Sequence, residues 1–159
     1  QQTWFDQHVV SHVAPFRSIN GYGLFRVMTT RRPEIIIEYS DNGARWHELA
    51  FQYKPGDVKC APAFVQPHQP RLDWQMWFAA LNPRGNERWL MSLSQRILEG
   101  SPPVLALLGE NTFPQGKPKY LRLVMYEYEF TDPVARRATG AWWHRRFLGN
   151  LTQPMSLRP

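Results

Sequence analysis

The side chains of this chain that are able to do covalent or acid–base chemistry stand apart from one another. The five histidines are spread from His8 to His144, and His8 and His12 are followed by no further ligand at metal-binding spacing. The acidic residues fall in turns, at helix ends or on strand surfaces. The sequence contains no nucleophile elbow, dinucleotide-binding glycine motif, phosphate-binding loop or zinc-protease motif. It therefore predicts a protein that is not an enzyme, with no catalytic site, no metal site and no cofactor.

Cys60 is the single cysteine of the sequence, which excludes an internal disulfide and any paired-thiol exchange site. A lone cysteine is more often a small buried hydrophobic residue than a nucleophile. A hydrolase is therefore a weaker hypothesis than a binding protein.

Aromatic and arginine residues are the better indication of function. The chain has seven Trp, nine Phe and six Tyr, and a formal net charge of +6. Trp, Tyr and Arg are the residue types that anchor protein interfaces. No run of five basic residues occurs, which argues against a nucleic-acid partner. The candidate partner-binding residues form two groups, the polar entry to a helix and a Trp-Trp-His-Arg-Arg stretch: His68, Arg71, Asp73, Trp142, Trp143, Arg145 and Arg146.

Residues 67–81 (PHQPRLDWQMWFAAL) must position the first group. Pro67 and Pro70 favour an extended entry, so the helix is expected to begin after them. Four large apolar side chains recur at the spacing of one helix face: Trp74, Trp77, Phe78 and Leu81. The spacing predicts that this aromatic face is buried as core, while the polar entry reaches a partner.

Trp142 and Trp143, in the second group, fall in a strand predicted over residues 141–147. Neighbouring side chains of a strand point to opposite faces. One of the two rings is therefore predicted to be buried and the other more accessible.

Strand patterns lie at both ends of the chain and helix patterns in the middle. Strands are predicted within residues 24–30, 34–39, 47–53, 120–130 and 141–147, and helices within residues 70–81, 86–100 and 101–108. Helices grouped between strands are typical of the α+β class. The chain is therefore predicted to be a single soluble domain over residues 1–159, with a helical insertion of about three helices at about residues 70–110.

Residues 37–46 (IEYSDNGARW) resemble the hairpin of discoidin-type and related galactose-binding jelly rolls. Residues 120–123 (YLRL) resemble a later strand of the same fold. The resemblance implies an antiparallel β-sandwich interrupted by the helical block. It also implies an alternative function, a module that binds carbohydrate or a lipid headgroup.

A second resemblance runs through nearly the whole chain in order. The chain is similar to the lipase maturation factor family in these segments: residues 22–29 (YGLFRVMT), 32–35 (RPEI), 53–57 (YKPGD), 67–81, 98–102 (LEGSP), 126–131 (YEYEFT) and 140–143 (GAWW).

This second resemblance implies that the chain is the soluble C-terminal domain of a polytopic membrane protein. The domain is then expected on the non-cytoplasmic side of the membrane, in the periplasm or the endoplasmic reticulum lumen. The implied function is that of a chaperone, a protein-binding domain that assists the folding and assembly of secreted lipases or other extracytoplasmic clients. The implied partner is a client protein, a lipase by family resemblance.

Overall fold

Strand β1, Arg32–Ser40, is an inner strand of the sheet, and its middle residues are buried on both faces. Its Ile35, Ile36 and Ile37 are all buried, and a β-branched run of this kind favours a strand covered on both sides. β1 pairs antiparallel with β2, His47–Glu48, and with β3, Tyr120–Phe130. β4, Trp143–Asn150, pairs antiparallel with β3, so the strand order is β2-β1-β3-β4.

The computed structural model describes residues 31–65, 70–108, 113 and 116–157, all within one unit, Arg31–Pro159. Its antiparallel sheet and α-helices confirm the predicted α+β class. The predicted strand at residues 24–30 lies outside the described residues, as does His68. The second sheet that a β-sandwich requires is not found among the described residues, so the sandwich stays a prediction.

Four α-helices are described: α1 is Arg71–Leu81, α2 is Glu87–Glu99, α3 is Pro102–Leu108 and α4 is Pro133–Thr139. A short 3₁₀ turn, Arg84–Asn86, leads into α2. α2 ends at Gly100, which adopts a left-handed φ of 74° and donates its N–H to carbonyls of the last turn. Within the described residues, no helix combines the length and apolar character needed to cross a membrane.

The sheet face packed against helix α1 is called the helix face here. It presents alternate residues of β1 and β3, including Ile35, Ile37, Leu121 and Leu123, to the apolar side chains of α1, α2 and α3. These buried side chains form the larger hydrophobic core.

The prediction of which side of α1 is buried was wrong. The side packed into the core carries Leu72, Met76, Ala79 and Ala80. The predicted core rings Trp74, Trp77 and Phe78 are only half buried, and Leu81 is exposed. The two alanines carry no bulk beyond Cβ and suit the close contact with the sheet. The rings pack on one another instead, with Trp74 and Phe78 centroids 5.2 Å apart.

Residues 49–65, called the strap here, begin at the edge of β1, where Leu49 and Phe51 pack into the larger core, and then cross the opposite face of the sheet at one end. The strap starts beside β1, where Leu49 N–H donates to Ile37 C=O. Farther along, the Tyr128 hydroxyl of β3 donates to Gly56 C=O at 2.7 Å. The strap then reaches the start of β4, where the N–H of Trp143 donates to Val58 C=O. Without a regular ladder of its own, the strap is held by these separate contacts.

Asp73 of α1 is one of the groups that hold the strap. Its Oδ1 accepts the backbone N–H groups of Tyr53 and Lys54, both at 3.0 Å. The Asp73 side chain is almost fully buried, with 1 % exposure. The carboxylate therefore joins the first turn of α1 to the strap, and the structure places it inside the protein.

Replacing Asp73 by Ala is expected to destabilise the fold strongly, because it leaves two backbone N–H groups without their acceptor. A buried hydrogen bond to a charged group is worth about 1.5–3 kcal/mol, so the free energy of unfolding should fall by about 3 kcal/mol or more. Urea unfolding of Asp73→Ala measures this loss. The matched control is Asp57→Ala, since exposed Asp57 accepts one strap N–H, that of Lys59, at 2.9 Å. Equal losses in the two variants would contradict the structural role of Asp73.

Candidate partner-binding face

The sheet face opposite the helices combines arginines, glutamates and aromatic rings, and it is called the arginine face here. Side chains reach it from all four strands, because residues paired across an antiparallel sheet share a face. Its charged and aromatic members are Arg32, Glu34, Glu38, Glu48, Arg122, Tyr126, Tyr128, Phe130, Trp143, Arg145 and Phe147. A smaller hydrophobic cluster under the strap includes Ile36, Val124, Tyr128 and Trp143.

Glu38 of β1 is directly opposite Glu48 of β2, and each carboxylate has its own arginine. Like charges opposite each other in a sheet are destabilising unless they are compensated. Arg122, the β3 partner of Glu38 on its other side, donates from Nε to Glu38 at 2.6 Å. The Arg122 guanidinium also lies over the Trp46 ring, 4.2 Å from its centroid. One cation therefore neutralises Glu38 and packs on an aromatic ring.

Arg145 joins the two edge strands of the sheet. From β4 it reaches Glu48 of β2 with two guanidinium hydrogen bonds, of 2.6 and 2.9 Å. On the way its guanidinium lies 4.6 Å from the Tyr126 ring centroid and donates to the Tyr128 hydroxyl at 3.2 Å. The bonds to Glu48 raise the pKa of Arg145 above its usual value, and burial only partly opposes this. Burial in turn raises the pKa of Tyr128, with Arg145 opposing.

A third group lies beneath the strap at the other end of the face. Glu34 is fully buried, accepts from Arg32 Nε at 2.9 Å, and lies 3.5 Å from the Lys54 ammonium. Arg32 also lies over the Trp143 ring, 5.5 Å from its centroid. Burial lowers the pKa of Lys54, and the attraction of Glu34 only partly opposes this shift. This buried pair ties the strap to β1, since removing Glu34 takes away the carboxylate that pairs with the buried Lys54 ammonium.

Some rings of this region remain open to solvent. Phe130 is 64 % exposed and stacks on buried Trp143 with centroids 4.3 Å apart. Phe147 is 53 % exposed and meets the Tyr126 ring edge-on at 5.5 Å. Half-buried Trp142 is packed under the Arg136 guanidinium at 3.7 Å. Exposed rings held in place by arginines are able to act as contacts for another protein.

The strap also encloses part of a pocket of about 410 Å³. Besides the strap residues, its lining includes Arg32, Trp77 of α1 and Trp143 of β4. Cys60, a free and exposed thiol, lies at the wall. The pocket is where the strap connects the helix that carries one predicted group with the strand that carries the other.

The predicted site residues are distributed over several parts of the structure. Arg71 is exposed at the first turn of α1, while Asp73 in the same turn is buried. Trp143 is buried, with its indole N–H donating to Cys60 C=O at 3.0 Å, and Trp142 is the more accessible ring, as predicted for the pair. Arg145 lies on the arginine face.

Arg146 points to the helix face, where it pairs with Glu127. The described members of the two predicted groups thus do not form one continuous site. The strap links them, because it is bonded to Asp73 at one end and to Trp143 at the other.

Sequence reasoning missed the partners of these residues. Glu38, Glu48, Arg122 and Trp46 were not candidates, although they are what holds the arginine face together. In the sequence of β1, charged residues flank the isoleucine run on both sides, and this pattern indicates that one face of the strand is polar. Their arginine partners were not visible, because the Glu38–Arg122 pair spans 84 residues of sequence and the Glu48–Arg145 pair spans 97.

The charged groups of the arginine face are paired with one another. In the part of the chain that the structure describes, no three His, Cys, Asp or Glu side chains come together as a metal site. Glu34, Glu38 and Glu48 on this face each pair with an arginine, namely Arg32, Arg122 and Arg145 in turn. What the face presents is a set of fixed rings and guanidinium groups.

Comparisons with known proteins agree with one another. Residues 18–153 match the family model described as the lipase maturation factor C-terminal domain. The chain is 42 % identical to lipase maturation factor 2 of Rattus norvegicus, over 97 % of this chain and 22 % of that protein. It is 46 % identical to lipase maturation factor 2 of Gallus gallus, over 86 % of this chain and 20 % of that protein.

The chain is also 35 % identical to lipase maturation factor 1 of Bos taurus, over 89 % of this chain and 27 % of that protein. It thus spans about a quarter or less of the length of these curated relatives. No solved structure matches it.

The doubly hydrogen-bonded ion pair of Arg145 and Glu48, called the clasp here, is expected to stabilise the fold measurably. Its geometry is bidentate and both side chains are partly buried, so a double-mutant cycle with Arg145→Met and Glu48→Gln should give a coupling energy of about 1 kcal/mol. The reference pair is Arg96 and Glu99 on α2, an exposed i,i+3 pair at 3.0 Å. Its coupling should stay below about 0.5 kcal/mol. Equal coupling in the two pairs, measured by urea unfolding, would show that the clasp adds nothing beyond an ordinary surface pair.

Proposed function

This chain belongs to the lipase maturation factor family, and from that membership we propose that it is a chaperone-like domain that binds client proteins through its arginine face. Relatives are named for the maturation of lipases, so a lipase is the proposed client. The contact consists of exposed rings on a rigid charged face, which recognise apolar surface on an incompletely folded chain. The domain performs no covalent step.

The observation that carries this proposal is the exposure of Phe130 and Phe147 on a sheet face whose other side chains are fixed. Large exposed rings next to guanidinium groups match the composition of interface anchors. Arg145 and Arg32 hold the neighbouring rings Tyr126 and Trp143 in place, so little side-chain freedom is lost when a partner binds. The predicted residues Trp143 and Arg145 then position the contact, while accessible Trp142 is part of it.

The second predicted group is kept in the proposal with different roles for its members. Exposed Arg71, at the start of α1, forms a separate contact, to which His68, three residues earlier in the sequence, also contributes. Asp73 acts indirectly, because it fixes the strap. Exposed Arg146 on the helix side of β4 contributes positive charge next to the same strand.

The setting of the proposed function is the non-cytoplasmic side of a membrane. We propose that the parent protein is a polytopic membrane protein and that this chain is its C-terminal domain, in the periplasm or the endoplasmic reticulum lumen. The match to a C-terminal domain model and the short share of each relative that the chain covers support this arrangement.

The alternative, a module that binds carbohydrate or a lipid headgroup, depends on a jelly-roll sandwich. The strands that the structure describes form one sheet. The described pocket is lined by strap residues and two Trp rings, and its cations Arg32 and Lys54 already pair with Glu34. The observations therefore favour a protein partner.

The test uses the full-length parent in cells whose own copy has been removed, with secreted lipase activity as the measurement. A double variant, Phe130→Ser with Phe147→Ser, is expected to lower secretion several-fold, because both exposed contacts are lost while the buried residues are unchanged. The amount of the parent protein is measured alongside.

The matched control is Leu107→Ser on α3, whose side chain is 56 % exposed on the helical side of the structure. It should leave secretion unchanged. Normal secretion with the double variant would reject client binding by this face. Equal losses with Leu107→Ser would point to a general loss of stability instead.

A further inference from the structure

The two edges of the sheet differ in how they are covered. β2 has only two residues, and beyond it the strap continues along β1, with Leu49 N–H bonded to Ile37 C=O. β4 has eight residues and is the outermost strand on its side among the described residues. A strand at an edge carries a row of main-chain donors and acceptors that another strand is able to use. Within residues 31–65, 70–108, 113 and 116–157, the open edge is therefore that of β4.

The direction of the β4 amides follows from contacts at its first residue. Trp143 N–H donates away from β3, to Val58 of the strap. Neighbouring residues of a strand alternate in the direction of their N–H and C=O groups. The N–H groups of Arg145 and Phe147 therefore point outward like that of Trp143, while those of His144 and Arg146 point toward β3. The strap occupies the first outward position, and the positions of Arg145 and Phe147 follow it.

The side chains along this edge restrict what is able to pair with it. His144, Arg145 and Arg146 are consecutive, and no acidic residue occurs in β4. Phe147 and Leu148 beside them are exposed. A second copy of the chain that pairs through the outward amide of Arg145 brings Arg145 or Arg146 against its own counterpart, which is unfavourable. Arg145 already pairs with Glu48 and Arg146 with Glu127, but the Arg146 side chain stays 64 % exposed and His144 is also exposed. An extended segment with acidic residues among apolar ones therefore suits these two side chains and the exposed Phe147 and Leu148.

We propose that the outer edge of β4 accepts an extended acidic and apolar segment of a partner protein as an additional antiparallel strand. Main-chain hydrogen bonds to Arg145 and Phe147 supply the pairing, and alternate side chains of the segment contact Phe147 on the arginine face. This proposal rests on the proposed function, because it takes the partner to be a client protein. What it adds is that a segment of the client binds in extended form.

The edge is tested by amide hydrogen exchange of the 159-residue chain, with a capped peptide that alternates Glu and Val as the probe. In the free chain, the amides of Arg145 and Phe147 should exchange quickly and those of His144 and Arg146 slowly. Saturation with the peptide should slow the two outward amides by roughly tenfold or more, and the inward amides should change little.

Two matched peptides separate the causes of binding. The same peptide with N-methyl groups on alternate amides keeps its side chains and loses the edge hydrogen bonds, and it should not protect Arg145 or Phe147. A peptide with Lys in place of Glu keeps the backbone and should bind roughly tenfold more weakly.

Several results would overturn the proposal. Slow exchange of Arg145 and Phe147 in the free chain would show that the edge is already covered. No binding of the Glu–Val peptide at about 1 mM, or binding without protection of these amides, would exclude strand addition. The exchange experiment does not depend on the secretion test. If clients bind the arginine face without using the β4 edge, the Phe130 and Phe147 double variant lowers secretion while the peptide gives no amide protection.

Discussion

Two glutamates directly opposite each other on neighbouring strands set the main constraint on this sheet. Glu38 and Glu48 repel unless each has a cation, and Glu38 is also buried. The cations come from β3 and β4, as Arg122 and Arg145, so the charge balance of β1 and β2 depends on the two strands at the other end of the chain. The hairpin that carries the glutamates is therefore stabilised by the strands that complete the sheet.

The same arginines explain why aromatic rings accumulate on this face. A guanidinium that pairs with a carboxylate in one direction has a flat surface left, and Trp46 and Tyr126 cover it. Arg32 repeats the arrangement with Glu34 and Trp143 at the strap end. Each ring lowers the exposure of the ion pair to water and gains cation–π attraction. The result is a face that is both charged and rigid, from which Phe130 and Phe147 protrude.

The local elements could be predicted from the sequence where short-range signals decide them. A strand was predicted at residues 120–130, and β3 has those bounds. The end of α2 at Gly100 was predicted from the glycine. α4 was missed although its start and end signals are present: Asp132 caps it through the N–H groups of Val134 and Ala135, and Gly140 ends it. Its seven residues carry no buried side, so hydrophobic periodicity gave no indication of it.

What the sequence could not supply were contacts set by tertiary structure. The large rings of α1 recur at helical spacing, yet the sheet takes the opposite side with its two alanines because that side allows closer packing. The sequence of the strap shows no repeating pattern over residues 58–65, since that part is held by separate hydrogen bonds, such as those of Trp143 to the carbonyls of Val58 and Cys60. Arg145 and Trp143, two of the candidate residues, lie on the arginine face. Their partners depend on pairings across the sheet.

The two edges of the sheet differ in how much of their backbone is covered. β2 is short, and the chain leaves it to cross the arginine face as the strap, which covers the β1 edge and the first position of β4. The rest of β4 keeps its outward amides, because the strap turns away after Val58 and Cys60. Consecutive cations on that strand discourage pairing with a like strand, as lysines do at the edges of many sheets. They do so without blocking the backbone, since Arg145 lies across the face toward Glu48 and Arg146 turns to Glu127 on the other side. Among the described residues, this edge is protected by charge and not by proline or a covering loop, so its main-chain groups remain available to a segment of opposite charge, as the proposed strand addition requires.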